Sequence, residues 1–238
     1  MFNTRNNLLI LLIIPILISC SSKNYFVNPE YRDKKISDAN LVIPTVSEVK
    51  FYQFAQIFNE GEIEKIKKDF SLLLSDKLKD ELKSRSTFSD IKYASFKAKP
   101  EFESKEFDLN EKEKISLSLP KNRIESDISE NLFLLFLKDI TLSLENKEKD
   151  TSDPAKHYSV TSTPGNEPVL NPMRLYNQIL VLDLKYCLYD NNTGKTVSFG
   201  RFSSKQKYTE TSSAENIIKI GIEKFAEKVF ENTPFEND

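Results

Sequence analysis

Glycine and histidine are scarce in this chain of 238 residues, which has five glycines, one histidine and no tryptophan. Backbone cradles for phosphate need glycines at fixed spacing, and the sequence has neither a Gly-x-Gly-x-x-Gly nor a Walker-type loop. The single histidine, His157, lies in a polar stretch with no metal-ligand spacing around it and no Gly-x-Ser-x-Gly turn elsewhere. We therefore predict no catalytic residue, no metal and no cofactor.

Neither sign of charge is in large excess, because the chain has 34 basic and 36 acidic side chains and a net charge of −2. No cluster of cations is interleaved with aromatic residues, so nucleic acid is not predicted as a partner. Glu101 and Glu103 have the residue type of a glycosidase site, but acids are spread through the whole chain and a solvated surface explains them better. The run from Asp190 to Gly194 has the composition of a calcium loop, yet it lies where a hairpin turn is expected.

The longest apolar run is at the N-terminus, from Leu8 to Ile18, after a short polar segment with one cation, Arg5. A membrane-spanning helix needs roughly 20 apolar residues, so this shorter run has the length of a signal-peptide core. The tetrapeptide Leu17-Ile18-Ser19-Cys20 resembles the lipobox of bacterial lipoprotein precursors. That resemblance implies a diacylglycerol group on Cys20 and cleavage in front of it by signal peptidase II.

The lipobox resemblance divides the chain into a signal peptide at 1–19, a lipidated flexible tether at 20–40 and a single domain at 41–235. The tether is predicted because residues 21–40 show neither a helical nor an alternating pattern. Ser21 replaces the aspartate that marks inner-membrane retention in enteric bacteria, which favours the outer membrane, on its periplasmic or surface face; the inner membrane stays open. With Cys20 lipidated, Cys187 is alone, so no disulfide is predicted.

The patterns in 41–235 predict an α+β fold with a mixed sheet of about four to six strands and two main amphipathic helices. Asn59 and Glu62 form a capping box for the first helix, and Ser212 and Glu215 form one for the second. A polar, proline-containing stretch at 146–177 is predicted to be a long loop. Alternation and β-branched runs predict strands at 41–46, 88–96, 114–119, 132–145, 180–188 and 197–208.

The order of these elements resembles the small α/β domain of several envelope lipoproteins, among them the TolB N-terminal, curli-secretion and penicillin-binding-protein-activator families. The resemblance implies a non-catalytic part in assembly, secretion or cell-wall regulation. We therefore predict an interaction or assembly module, held to a membrane by lipid, that binds another envelope protein through a sheet edge or the 146–177 loop. A surface-exposed adhesin or host-binding lipoprotein is the alternative, and an envelope hydrolase is less favoured.

Overall fold

The structure is a computed structural model that describes residues 24–44, 49–56, 58–94, 100–124, 131–148, 158–161, 169–172, 176–208 and 214–237. Cys20, His157 and Ser212 lie outside the described residues. The helices are α1 (Pro29–Arg32), α2 (Glu60–Ser84) and α3 (Ala214–Val229), with a 3-10 turn at Phe54–Gln56. The strands are β1 (Tyr25–Val27), β2 (Asn40–Pro44), β3 (Val49–Tyr52), β4 (Asp90–Ala94), β5 (Phe102–Asn110), β6 (Glu113–Pro120), β7 (Leu132–Glu148), β8 (Tyr158–Thr161), β9 (Val169–Pro172), β10 (Tyr176–Asp190) and β11 (Lys195–Tyr208).

The main sheet is mixed and has seven strands, in the order β1-β11-β10-β7-β2-β4, with β3 also paired to β7. The pairs along β1, β11, β10 and β7 are antiparallel, whereas β2 pairs in parallel with β4 and β7, and β3 in parallel with β7. The predicted α+β class with a mixed sheet is therefore confirmed. The sheet exceeds the predicted four to six strands because β1 and β3 have only three and four residues, too few to show alternation.

A β-bulge divides the long strand β7 into two halves. Before it, the odd-numbered residues Phe133 and Leu135 are buried on the helix side of the sheet; after it, the even-numbered residues Leu142 and Leu144 are buried there. The pairing of β7 with β10 shifts register at this point, and Asp139 takes a left-handed conformation with φ 47°. One extra residue thus lets both halves present their apolar side chains to the same core.

Helices α2 and α3 cover one face of the sheet. Helix α2 begins at a capping box, in which the Asn59 side chain accepts from the Glu62 amide at 3.0 Å and the Glu62 carboxylate accepts from the Asn59 amide at 2.9 Å. Burying each large apolar side chain contributes about 1.5–3 kcal/mol to stability. The two helices bury Phe70, Leu74, Leu78, Leu82, Ile217, Ile218, Ile222, Phe225, Ala226 and Val229.

The β5–β6 hairpin covers part of the opposite face. Its residues Ile115, Leu117 and Leu119 are buried in a second apolar cluster with Leu134 and Cys187 of the sheet. Only one strand, at 114–119, was predicted here, because the side chains of β5 are mostly charged and exposed and give no clear period. The sequence pattern therefore predicts β6 but not β5, although the two strands form one layer over the sheet.

Two segments predicted to be irregular contain regular structure. The tether predicted for 20–40 is wrong from residue 24 onward, because β1 pairs with β11 and the Tyr31 side chain is 1% exposed. The single loop predicted for 146–177 is also wrong: β7 continues to Glu148, β8 and β9 form an antiparallel pair, and β10 already begins at Tyr176. Short strands between prolines do not produce the alternation on which the prediction depends.

Candidate functional site

The N-terminal segment is held to the β10–β11 turn by a buried tyrosine. The hydroxyl of Tyr31 donates to Asp190 Oδ2 at 2.8 Å and lies 2.8 Å from Thr193 Oγ1. Asp190 Oδ1 accepts from the amides of Asn192 and Thr193 at 2.8 and 3.2 Å. Burial raises the pKa of Tyr31, which therefore stays a neutral donor. The sequence from Asp190 to Gly194 is the predicted hairpin turn, and both oxygens of its carboxylate hold protein groups.

Backbone contacts extend this attachment to Asn24. The Asn28 amide donates to Val197 O at 2.8 Å, and the Arg201 amide donates to Asn24 O at 2.7 Å. Gly200 allows the close approach, because a Cβ there would lie 2.5 Å from Asn24 O and 2.7 Å from Tyr25 Cβ. The chain is thus fixed against β11 from Asn24, four residues after Cys20.

A polar cleft of about 370 Å³, here called the bulge cleft, opens beside Asn24 on the sheet face that carries the β5–β6 hairpin. The bulge places Asp139 against Lys185, whose Nζ lies 2.5 Å from Asp139 Oδ2, and this hydrogen bond holds the pKa of Asp139 below its usual range. Arg201 Nη1 donates to Glu113 Oε1 and so connects the sheet to the hairpin. The cleft is lined by Asn24, Glu113, Asp139, Asp183, Leu184, Lys185, Arg201, Phe202 and Ser203.

The bulge cleft presents charged side chains of both signs, Glu113 and Asp139 on one hand and Lys185 and Arg201 on the other. Both of its ion pairs are partly exposed, and such pairs contribute at most about 1 kcal/mol, so a ligand can replace one partner at small cost. The sequence prediction did not include this site. Its one signal was the change from odd to even apolar positions between Leu135 and Ile140, which marks the bulge.

A second cleft, of about 510 Å³, lies near β1 and the C-terminal turn. Its polar groups contact one another: Asn232 Nδ2 donates to the Tyr25 hydroxyl at 3.0 Å, and the Asn232 amide donates to Glu236 Oε2 at 2.8 Å. The cleft is lined by Tyr25, Phe26, Val27, Arg32, Asp33, Leu109, Asn232, Thr233 and Glu236. These contacts fasten β1 to the C-terminus and so add to the attachment of the N-terminal segment.

The remaining residues singled out in the sequence are not brought together. Glu101 pairs with Lys121 at 3.2 Å and Glu103 with Lys105 at 2.6 Å, on the exposed hairpin. Cys187 is buried, and burial raises the pKa of its thiol. Among the residues that the structure describes, no group of three or more His, Cys, Asp or Glu side chains could hold a metal ion. Within the same ranges, every helix is too short or too polar to cross a membrane.

No protein-family model matches this chain, and no curated protein sequence matches it. Among solved structures, the chain is similar to the PelC dodecamer from Paraburkholderia phytofirmans, with 8% identity, 86% of this chain and 94% of that chain covered, and a TM-score of 0.30. It is also similar to a protein described as a neuraminyllactose-binding hemagglutinin homolog from Helicobacter pylori, with 10% identity, 83% and 82% coverage, and a TM-score of 0.34. At these TM-scores the function has to be argued from the chain's own residues.

Proposed function

We propose that this chain is a bacterial envelope lipoprotein, anchored through an acylated Cys20, whose domain is a non-catalytic interaction or assembly module at the membrane surface. The observation that carries the proposal is the lipobox-like Leu17-Ile18-Ser19-Cys20, whose cysteine lies four residues before Asn24, the first residue that the structure describes. Acyl chains on Cys20 stabilise membrane binding by about 0.8 kcal/mol for each buried methylene. The anchor then holds the protein without any spanning segment.

The short distance from Cys20 to Asn24 distinguishes this protein from one that stands off the bilayer on a long tether. Four residue steps span at most about 14 Å. The domain therefore stays close to the lipid surface, where it can contact partners that are themselves in or on that membrane. The serine at position 21 favours the outer membrane as the place of anchoring.

The ion pairs of the bulge cleft support an interaction role over catalysis. General acid or base catalysis needs a side chain within hydrogen-bond reach of substrate and with a pKa near the working pH. In the bulge cleft, Lys185 contacts Asp139 and the pKa of Asp139 is lowered, away from neutrality. Charged pairs of this kind suit recognition of another charged surface.

The anchor is tested by intact mass spectrometry of the mature protein extracted from bacterial membranes. We expect an N-terminus at Cys20 that carries acyl chains, and we expect Cys20→Ala to abolish the modification and move the protein to the soluble fraction. Cys187→Ala is the matched control, because it removes the other cysteine and should leave the modification intact. An unmodified Cys20, or cleavage elsewhere, would refute the proposal.

The membrane face is tested by treating intact cells with a protease. Digestion of the domain would support the adhesin-like alternative on the cell surface. Protection in intact cells, followed by digestion once the outer membrane is opened, would support a periplasmic assembly role.

A further inference from the structure

We propose that the lipid headgroup layer is itself the partner of one sheet edge, formed by Tyr25–Val27 of β1 and by residues 201–208 of β11. We call this surface the anchor edge. The inference rests on the proposed acylation of Cys20 and deepens it by naming which surface meets the bilayer. Its first support is the length of chain before the described domain: the acylated residue lies within about 14 Å of Asn24, because only four residue steps separate them.

Hydrogen bonds hold the anchor edge close to Asn24. Asn24 O accepts from the Arg201 amide at 2.7 Å, and Gly200 allows this close approach, because a Cβ there would lie 2.5 Å from Asn24 O. Further along, Tyr31 ties the same segment to Asp190. Residues 21–23 are therefore the only stretch of chain between the acylated Cys20 and the attached segment, and their length limits the distance between the domain and the bilayer.

The direction of the strands places the rest of the edge next to the anchor. Strand β1 is antiparallel to β11, with Tyr25 opposite Gly200 and Val27 opposite Ser198. Asn24 therefore lies at the end of β1 that meets Arg201, from which β11 continues to Tyr208. Helices α2 and α3 cover one face of the sheet and the β5–β6 hairpin covers part of the other, in layers about 10 Å thick. These layers oppose a flat approach and favour an edge-on one.

The side chains of the anchor edge suit a headgroup layer. Arg201, Lys205 and Lys207 are exposed at odd-numbered positions of a strand segment that contains no acidic residue, and they project from the hairpin-bearing sheet face where it borders the anchor edge. Arg201 and Lys205 also form exposed pairs with Glu113 and Glu145, and such pairs can open toward lipid phosphate.

An exposed aromatic ring adds to this surface. Phe26 is 37% exposed and stacks on Phe199, with ring centroids 5.1 Å apart. Surfaces that lie on a bilayer combine Lys and Arg with apolar side chains such as Phe. The opposite edge strand, β4, has one cation, Lys92, against three in residues 201–208, and Lys92 lies 2.7 Å from Asp90.

The test compares two labelled positions in the mature acylated protein, reconstituted into vesicles of phosphatidylethanolamine and phosphatidylglycerol that contain a headgroup-nitroxide lipid. A fluorophore is attached to Ser203→Cys on the anchor edge or to Lys92→Cys on β4, both exposed positions. The two strands are four strand spacings apart, which is about 19 Å. The buried Cys187 and the acylated Cys20 leave the introduced thiol as the reactive one.

We expect stronger quenching at position 203 than at position 92, because an edge-on domain holds position 92 about 19 Å farther from the headgroup layer. The double substitution Lys205→Glu and Lys207→Glu should reduce quenching at 203, whereas Lys65→Glu and Lys68→Glu on exposed turns of α2 should not.

Equal quenching at the two edges, or stronger quenching at 92, would overturn the inference. If the mass spectrum of the same preparation shows acylated Cys20, that result leaves the proposed function standing. If the mass spectrum shows no acylation, the proposed function and the inference both fail. The mass spectrum thus separates the two failures.

Discussion

At the scale of single residues, Tyr31 and Cys187 show how burial determines what a reactive side chain does. Tyr31 is buried with its hydroxyl between Asp190 and Thr193, so it serves as a donor that joins two distant parts of the chain. Cys187 is buried in the apolar cluster under the β5–β6 hairpin, where a thiol packs as a small hydrophobic group. The sequence predicts the burial of Cys187 from its apolar neighbours. It does not predict the burial of Tyr31, which lies among charged residues.

Replacing Tyr31 by phenylalanine should lower the free energy of unfolding by about 1–3 kcal/mol, because Asp190 Oδ2 loses a buried donor. Urea unfolding of wild type and variant measures the difference. Tyr52→Phe is the matched control, since Tyr52 is 49% exposed and its substitution should change stability by less than about 0.5 kcal/mol. Equal stabilities for Tyr31→Phe and wild type would show that the hydroxyl contributes nothing to the attachment.

The thiol of Cys187 should resist alkylation in the folded protein and react fully in denaturant. Burial raises its pKa, so the thiolate that attacks the reagent is scarce, and the hairpin also blocks access. The rate of reaction with iodoacetamide, measured with and without guanidinium, checks this. Rapid labelling under native conditions would contradict the burial described for this strand.

At the scale of elements, the sequence predicts those whose pattern is long and regular. Three such elements can be predicted from the sequence: the α2 capping box, the β10–β11 hairpin and strand β7 with its alternating apolar residues. Strands β1 and β3 are not, because three or four residues cannot establish a period and their pairing depends on distant partners. The bulge cleft is likewise invisible without the fold, since Glu113, Asp139 and Arg201 come from three separate strands.

The Gly200→Ala substitution should detach β1 from β11, because its methyl group would lie 2.5 Å from Asn24 O. We expect trypsin to cleave after Arg32, Lys34 or Lys35 at least about threefold faster, as local opening of this segment becomes easier. Gly61→Ala is the control, because a Cβ there meets only Asn59 Oδ1 at 3.4 Å. Unchanged cleavage in Gly200→Ala would mean that the strand pair tolerates a side chain.

The Asn59→Ala substitution should lower the free energy of unfolding by about 1 kcal/mol, since it removes the acceptor for the Glu62 amide at the start of α2. Thermal unfolding measures this loss. Ser71→Ala, in the exposed middle of the same helix, should have no effect or a small stabilising one, because alanine is the better helix former. A loss from Ser71→Ala as large as that from Asn59→Ala would remove the special role of the cap.

At the scale of the whole molecule, the proposed acylation of Cys20 would limit how far the domain can move from the membrane, because only four residue steps separate Cys20 from Asn24. A flexible Gly/Ser insertion of about 20 residues before Lys23 would have a root-mean-square span of about 25 Å. In the acylated protein, we expect this insertion to bring the ratio of quenching at position 203 to quenching at position 92 toward one. An insertion of the same length in the β5–β6 turn, between Asn110 and Glu113, should preserve the difference. Persistence of the difference in the first variant would mean that the anchor edge binds lipid without help from the short linker.

The pairing of Tyr25 with Gly200 also sets an order of events during biosynthesis. In the proposed export of this chain, the N-terminal part of the domain crosses the membrane first, so β1 has no partner until most of the sequence has been synthesised and has crossed. Until β11 arrives, residues 24–40 have the freedom of a loose leader, as their irregular composition suggests. In the proposed anchored protein, the distance between the domain and the bilayer is therefore fixed only at the end of folding, when β11 pairs with β1.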